Sequence, residues 1–246
     1  MPVIDAHAHL GPCKVFDLNV SEDDLVKAMD RFNVEAAVVQ PFPGAPNPRN
    51  VHDRIAKLAE KHPGRFFGLA SVNPHRPKEE YVAEVERCVK DLGFVAVKLH
   101  TIGHAVSPLS QDGEMVFATA ERLKVPVMVH TGPGVPFALP SLCLPKARAH
   151  PSLPIILAHA GFGLFTGEAM VAAQECSNIF FETSWVSGLD VPPLVETLGA
   201  DRVMFGTDLP ANIPLEMEKY KHIGLSQQAL DMVLGGTAVK VYKLNV

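Results

Sequence analysis

The chain has 246 residues, 47% of them hydrophobic, which is enough to bury one large core or two small ones. Its formal charge of −5, with Lys and Arg scattered, excludes the concentrated basic face that phosphate contacts need, so no nucleic-acid partner is expected. No run approaches the roughly 20 apolar residues of a membrane span, and no charged leader precedes an apolar stretch; a cytoplasmic protein without a membrane partner is expected.

Short runs rich in Val, Ile, Phe and Ala recur at residues 3–6, 36–40, 66–72, 94–99, 126–130, 154–159, 179–183 and 202–206. They are nearly continuous rather than alternating, as strands are when helices cover both faces of a parallel sheet. Helical stretches lie between them. Ser21 and the acidic residues after it open the first, with Leu25, Met29 and Phe32 at helical spacing. Amphipathic stretches follow at 51–61, 78–92, 112–123, 141–149, 167–176, 191–198 and 226–234. Spacings of roughly 25 to 30 residues match βα units, so eight of them without a composition break predict an α/β chain folded as one (β/α)8 TIM barrel over residues 1–246. The segments 41–48, 130–140 and 206–214 then become βα loops on the active-site face. Cys13, Cys88, Cys143 and Cys176 lie far apart without CxxC spacing, so free thiols are expected rather than a zinc–thiolate site.

His7 and His9 end the first predicted strand, and alternation turns both to one side with the small Ala8 between them. His130, His159 and Asp208 each end a later apolar run. Barrel closure would gather the ends of the first, fifth, sixth and eighth predicted strands on one rim, giving His7, His9, His130 and Asp208 as ligands of a divalent ion. Imidazole and carboxylate donors suit zinc first, with manganese, iron or cobalt as alternatives. Each residue also has a plainer reading: the histidines as hydrogen-bonded core or rim groups, Asp208 as a helix N-cap. His159 reads as a group that polarises substrate, since four ligands are already supplied. Lys98 and His100 end the fourth strand on one side; a buried lysine needs a partner, and contact with an anionic substrate ranks ahead of a carbamylated lysine bridging a second metal. Trp185, Asn73 and His75 are expected to line the pocket, Trp185 equally as packing. His52, His62, His150 and His222 read as surface residues on helices.

Taken in order, Ile4-Asp-Ala-His-Ala-His, Val97-Lys-Leu-His, Met128-Val-His-Thr-Gly, Leu157-Ala-His-Ala-Gly and Phe205-Gly-Thr-Asp-Leu-Pro resemble the amidohydrolase superfamily. The nearer resemblance is to the branch containing aminocarboxymuconate-semialdehyde decarboxylase, γ-resorcylate decarboxylase and 2-pyrone-4,6-dicarboxylate hydrolase. It runs nearly end to end, through Gly235-Gly-Thr-Ala. It implies a metal-dependent barrel enzyme with ligands at His7, His9, His130 and Asp208 and a catalytic histidine at His159. The chain is short for that branch, which tilts the reading toward a hydrolase of a small cyclic ester, lactone or amide. A metal-activated water would attack, Asp208 would carry its proton, and Lys98 and His100 would hold an anionic substituent. The alternatives are a non-oxidative decarboxylase of a small aromatic or unsaturated acid, and a non-catalytic metal- or ligand-binding barrel. Exposed apolar residues on outer helices are compatible with a homo-oligomer.

Overall fold

The computed structural model describes residues 2–246. Among them, one sheet runs in the order β2-β1-β3-β4-β5-β6-β7-β8-β9. Its members are β1 (Ile4–Cys13), β2 (Leu18–Val20), β3 (Ala36–Pro41), β4 (Phe66–Ser71), β5 (Ala96–Leu99), β6 (Val127–His130), β7 (Ile155–Ala158), β8 (Ile179–Glu182) and β9 (Val203–Met204). From β1–β3 onward every neighbouring pair is parallel. The sheet closes where Ala6 N donates to Phe205 O (3.0 Å), Asp208 N donates to His7 O (2.7 Å), and Ala8 bridges Asp208. The expected (β/α)8 barrel is thus the fold.

The apolar runs form strands because helices cover them. Val39, Ala70, Val97, Leu99, Val127, Val129, Leu157 and Phe181 face outward into a layer completed by helical residues such as Leu25, Met29, Ile55 and Phe117. Ile4, Ala6, Ala36, Val38, Leu69, Ala96, Met128 and Ile156 fill the barrel, joined by Val241 and Tyr242 of the helix Thr237–Tyr242. The Tyr242 hydroxyl donates to Ala6 O (3.2 Å). Gly235 backs onto the chain start: a Cβ there would stand 2.0 Å from Pro2 O, so only glycine permits the approach. The four cysteines are free and buried.

The helix Glu22–Arg31 opens with a capping box in which Ser21 Oγ accepts from Asp24 N and the Asp24 carboxylate from Ser21 N. Two elements differ from the sequence reading. The helix Ile213–His222 starts where a loop was expected, because Pro214 sits in the first turn, where its missing N–H costs no hydrogen bond. Strand β2 pairs antiparallel with Gly11–Cys13, carrying β1 past the rim as a hairpin. Among the described residues no helix is long and apolar enough to cross a membrane.

Candidate metal and substrate site

The geometry of the site begins with a bulge. Asp5 pairs with Ala37 but Ala8 with Val39, so β1 carries one extra residue between them. The bulge changes the frame: Ala6 lies inside the barrel, Ala8 faces the helices, and His7 and His9 then both turn inward. Buried Asp5 fixes this stretch by accepting from His7 N and Thr207 N, both at 3.0 Å, and from Thr207 Oγ1. Burial pushes the Asp5 carboxyl up to about 8 against those hydrogen bonds.

Asp208 sits at φ +67, a left-handed conformation that Asp tolerates better than most residues. There its Oδ1 lies 3.4 Å from His7 Nε2 and 3.3 Å from His9 Nε2, and those two nitrogens are 3.3 Å apart. Donors about 2.05 Å from a tetrahedral centre stand about 3.3–3.4 Å apart, so the triangle fits a small divalent ion. The protons agree. His7 Nδ1 donates to Glu182 Oε2 at 2.7 Å, which puts the His7 lone pair on Nε2, and the Gln40 amide donates to His9 Nε2 at 3.1 Å, which puts the His9 lone pair there too, where an ion would displace Gln40. Burial, reinforced at His7 by the Lys98 charge, holds His7 well below the ordinary histidine value, and burial also lowers His9. For Asp208, burial works upward, but the histidines around it, His7 first, outweigh it and hold the carboxyl well below its usual range. Two neutral imidazoles and a carboxylate are the species a divalent ion binds.

Lys98 is fully buried with Nζ 3.0 Å from His7 Nε2, and burial lowers it to about 8. It is not among the residues that line the cavity over Asp208 and His9. His100 and His130 stack at 4.5 Å and 10°, and the His130 ring lies 4.8 Å from that of His159. His130 lies outside the close His7–His9–Asp208 group, and its buried Nδ1 has no hydrogen-bond partner. His159 Nδ1 lies 2.9 Å from Ser184 Oγ, which itself donates to Glu182 Oε2 at 3.0 Å. The His159 bond must therefore run from Nδ1–H, which leaves Nε2 as an acceptor; burial lowers this ring to about 4.

Glu182, absent from the sequence-based set, is the hub of this arrangement. It accepts from His7 Nδ1, the backbone of His159 (3.3 Å), and both the backbone and hydroxyl of Ser184. Its signal was available: a carboxylate ending the run Ile179-Phe-Phe. Gly206 makes room for it, since a Cβ there would stand 2.4 Å from Glu182 Oε1.

Above the triangle lies a cavity of about 250 Å³ lined by His9, Phe16, Leu18, Phe42, His100, His130, His159, Phe162, Trp185, Asp208 and Leu209. Trp185 and Phe162 stack at 15°, and Trp185 Nε1 donates to Asp208 Oδ2 at 2.9 Å. Both rings sit at positive φ, as does His159, so backbone strain gathers at this mouth. Asn73 and His75 do not line this cavity. They line a neighbouring one, where Asn73 accepts from His75 N and the His75 ring bonds Asp112 (2.7 Å) and Ala105 O.

Two surface expectations are corrected. His52 is fully buried, with Nε2 accepting from Ser71 N and Nδ1 donating to Glu84 at 2.9 Å. His150 is buried between Glu121 and Glu114.

A parallel barrel with histidines and an aspartate at its carboxyl rim defines a metal-site class of enzyme fold. The amidohydrolase family model matches residues 4–244, and the chain belongs to that family as an amidohydrolase-type enzyme. It is 24% identical over 289 aligned residues to the γ-resorcylate decarboxylase of Polaromonas sp. (strain JS666 / ATCC BAA-500), covering 91% of this chain and 88% of the relative. The fold is similar to that of a dihydroxybenzoic acid decarboxylase from Polaromonas sp. JS666 solved with manganese and 2-nitroresorcinol (TM-score 0.79, 21% identity, 100% and 98% of the two chains). It is also similar to a probable 2-pyrone-4,6-dicarboxylic acid hydrolase from Acinetobacter baumannii solved with citric acid (TM-score 0.70, 15% identity, 99% and 100%).

Proposed function

We propose that the chain is a divalent-metal-dependent enzyme that removes carbon dioxide, without an oxidant, from a small hydroxylated aromatic carboxylic acid. The observation that carries this reading is the cavity itself, a narrow space with aromatic and apolar walls over a floor of Asp208 and His9. A flat ring fits between such walls and places its polar edge on the floor. The decarboxylase relatives support the same choice over the hydrolysis that the sequence alone favoured.

In this reading His7, His9 and Asp208 would hold the ion, while His130, stacked on His100, stands outside their close group and lines the cavity. A bound manganese or zinc ion supplies Lewis acidity toward substrate oxygens. Lys98, behind the cavity wall and 3.0 Å from His7 Nε2, offsets the charge of the substrate carboxylate without touching it. Phe162 and Trp185 stack against the ring and exclude water. Asp208 accepts the proton of an ortho hydroxyl and returns it to the ring carbon as the bond to the carboxylate breaks and carbon dioxide leaves. His159 Nε2 accepts a hydrogen bond from a second substrate hydroxyl, which keeps its proton, and orients the ring. The product phenolate recovers its proton from solvent, so each turnover takes up one proton.

One observation favours hydrolysis of a small lactone as a second reading. The 289 aligned positions exceed the 246 residues of this chain, so the decarboxylase relative carries insertions that this compact barrel lacks. The two readings separate by product. Manganese- or zinc-loaded protein is incubated with 2,6-dihydroxybenzoate and related ortho-hydroxybenzoates, and in parallel with 2-pyrone-type lactones. Carbon dioxide release that chelation abolishes is the expected result; acid release from lactones with no carbon dioxide from any hydroxybenzoate overturns it.

A further inference from the structure

The barrel mouth holds a second compartment that this reaction does not use. It measures about 340 Å³ and is lined by Ser71, Asn73, His75, Arg76 and His104, with Phe42 shared between it and the cavity over Asp208. Phe42 lies parallel to the His9 ring at 4.5 Å, so one aromatic ring partitions the two spaces. The second space sets these polar groups opposite the apolar wall of Phe42, Pro43, Ala45 and Pro48. Ser71 and His104 are 2% and 4% exposed, and Ser71 Oγ and His104 Nδ1 are buried without a hydrogen-bond partner. Unmatched polar atoms in such positions cost free energy unless a ligand or water meets them. Arg76 supplies the charge. Its nearest carboxylate, Glu80, is 3.6 Å away, beyond hydrogen-bond range, and lines the adjoining groove rather than this compartment. The clamp of His75 on Asp112 and Ala105 O holds the loop that presents Arg76.

We propose that this compartment receives a second carboxylate of the substrate, so that the preferred substrate is a dicarboxylate bridging Arg76 and the floor at His9 and Asp208 around Phe42. The inference rests on the proposed site for its first anchor only. Arg76 donates charge-assisted hydrogen bonds to the distal carboxylate, and Ser71 Oγ and Asn73 Nδ2 complete its shell.

The test uses the metal-loaded full chain and calorimetric titration with linear dicarboxylates from glutarate to suberate, each paired with the monocarboxylate of equal length. Wild type should bind at least one dicarboxylate about tenfold or more tightly than its monoacid partner, and Arg76→Gln should erase that difference. Arg76 is half exposed on its loop, so its replacement leaves the core intact. The proposal is overturned if no dicarboxylate exceeds its monoacid partner, or if the advantage survives in Arg76→Gln. An Arg76-dependent dicarboxylate advantage in protein that releases no carbon dioxide from any hydroxybenzoate upholds the second compartment while removing the proposed reaction. The two readings therefore fail separately.

Discussion

Glu182 Oε2 and His7 Nδ1 stand 2.7 Å apart in a fully buried pair that fixes which nitrogen of His7 keeps its lone pair. A carboxylate accepts only, so the imidazole proton stays on Nδ1 and Nε2 faces Asp208 and His9. Replacing Glu182 with Gln keeps the shape but removes the charge and turns one of two acceptor oxygens, at which four donors aim, into a donor. Metal affinity should fall about 10- to 100-fold, read by competition with a chromogenic chelator. Unchanged affinity would remove Glu182 from the positioning role.

The donor triangle predicts a coupling between ion and stability. If the ion binds only the folded chain, saturation at about 100 times its dissociation constant adds about 2.7 kcal/mol. For a chain of this size that corresponds to a melting temperature about 5–10 °C higher in the loaded protein than after chelation. Asp208→Asn should lose most of that increment together with stoichiometric metal by elemental analysis, and turnover should fall at least about a hundredfold. Full metal content in the variant would exclude Asp208 as a ligand.

Gly206→Ala tests the same centre through the backbone. The new methyl would stand 2.4 Å from Glu182 Oε1 and 2.9 Å from Glu182 Cγ, and four hydrogen bonds hold that carboxylate in place. Overpacking of this kind costs about 1–3 kcal/mol, measurable as a lower urea midpoint. Metal affinity should drop in parallel, because Glu182 must move away from His7.

Acid stability should depend on Glu84, which is bonded by His52, Arg49 and Arg87. Burial raises this carboxyl, but hydrogen bonds from His52 and Arg87 outweigh it and bring it from an ordinary 4.5 to about 2. Burial also lowers His52, and the acceptor role of its Nε2 toward Ser71 N identifies it as the neutral Nδ1–H tautomer. The positive charge beside Glu84 is therefore that of the arginines. A carboxyl whose folded value is depressed stabilises the fold above its unfolded value and loses that share as pH falls toward the folded one. Urea midpoints of wild type should decline as pH drops below about 4.5, and Glu84→Gln should be weaker at pH 7 with a shallower decline below 4.5. Parallel pH profiles for the two proteins would refute the assignment.

Sequence periodicity carried the barrel because each strand is apolar on both faces, and the strand-end histidines stood out against that background. Of the four expected ligands, His7, His9 and Asp208 come together and His130 stays outside their close group. The bulge that aims His7 was not legible, because it depends on Asp5 meeting Thr207 from the other end of the chain. Glu182 was legible in kind, as a charge ending an apolar run, but its role appears only when β8 lies beside β1 and β9. Asn73 and His75 follow a strand end like the others, yet the Phe42 ring divides the mouth and assigns them to the far side. His52 and His150 looked solvated because helix position alone does not tell which face meets a neighbouring helix.

The seam between β1 and the end of β9 also sets an order of assembly. His7 and His9 leave the ribosome about two hundred residues ahead of Asp208, whose amide caps His7 O and whose carboxylate completes the triangle. Nothing made in between can complete the donor set. A chain interrupted before its final strand would hold bare imidazoles without their carboxylate, so ion capture and barrel closure become one late event in the life of each molecule.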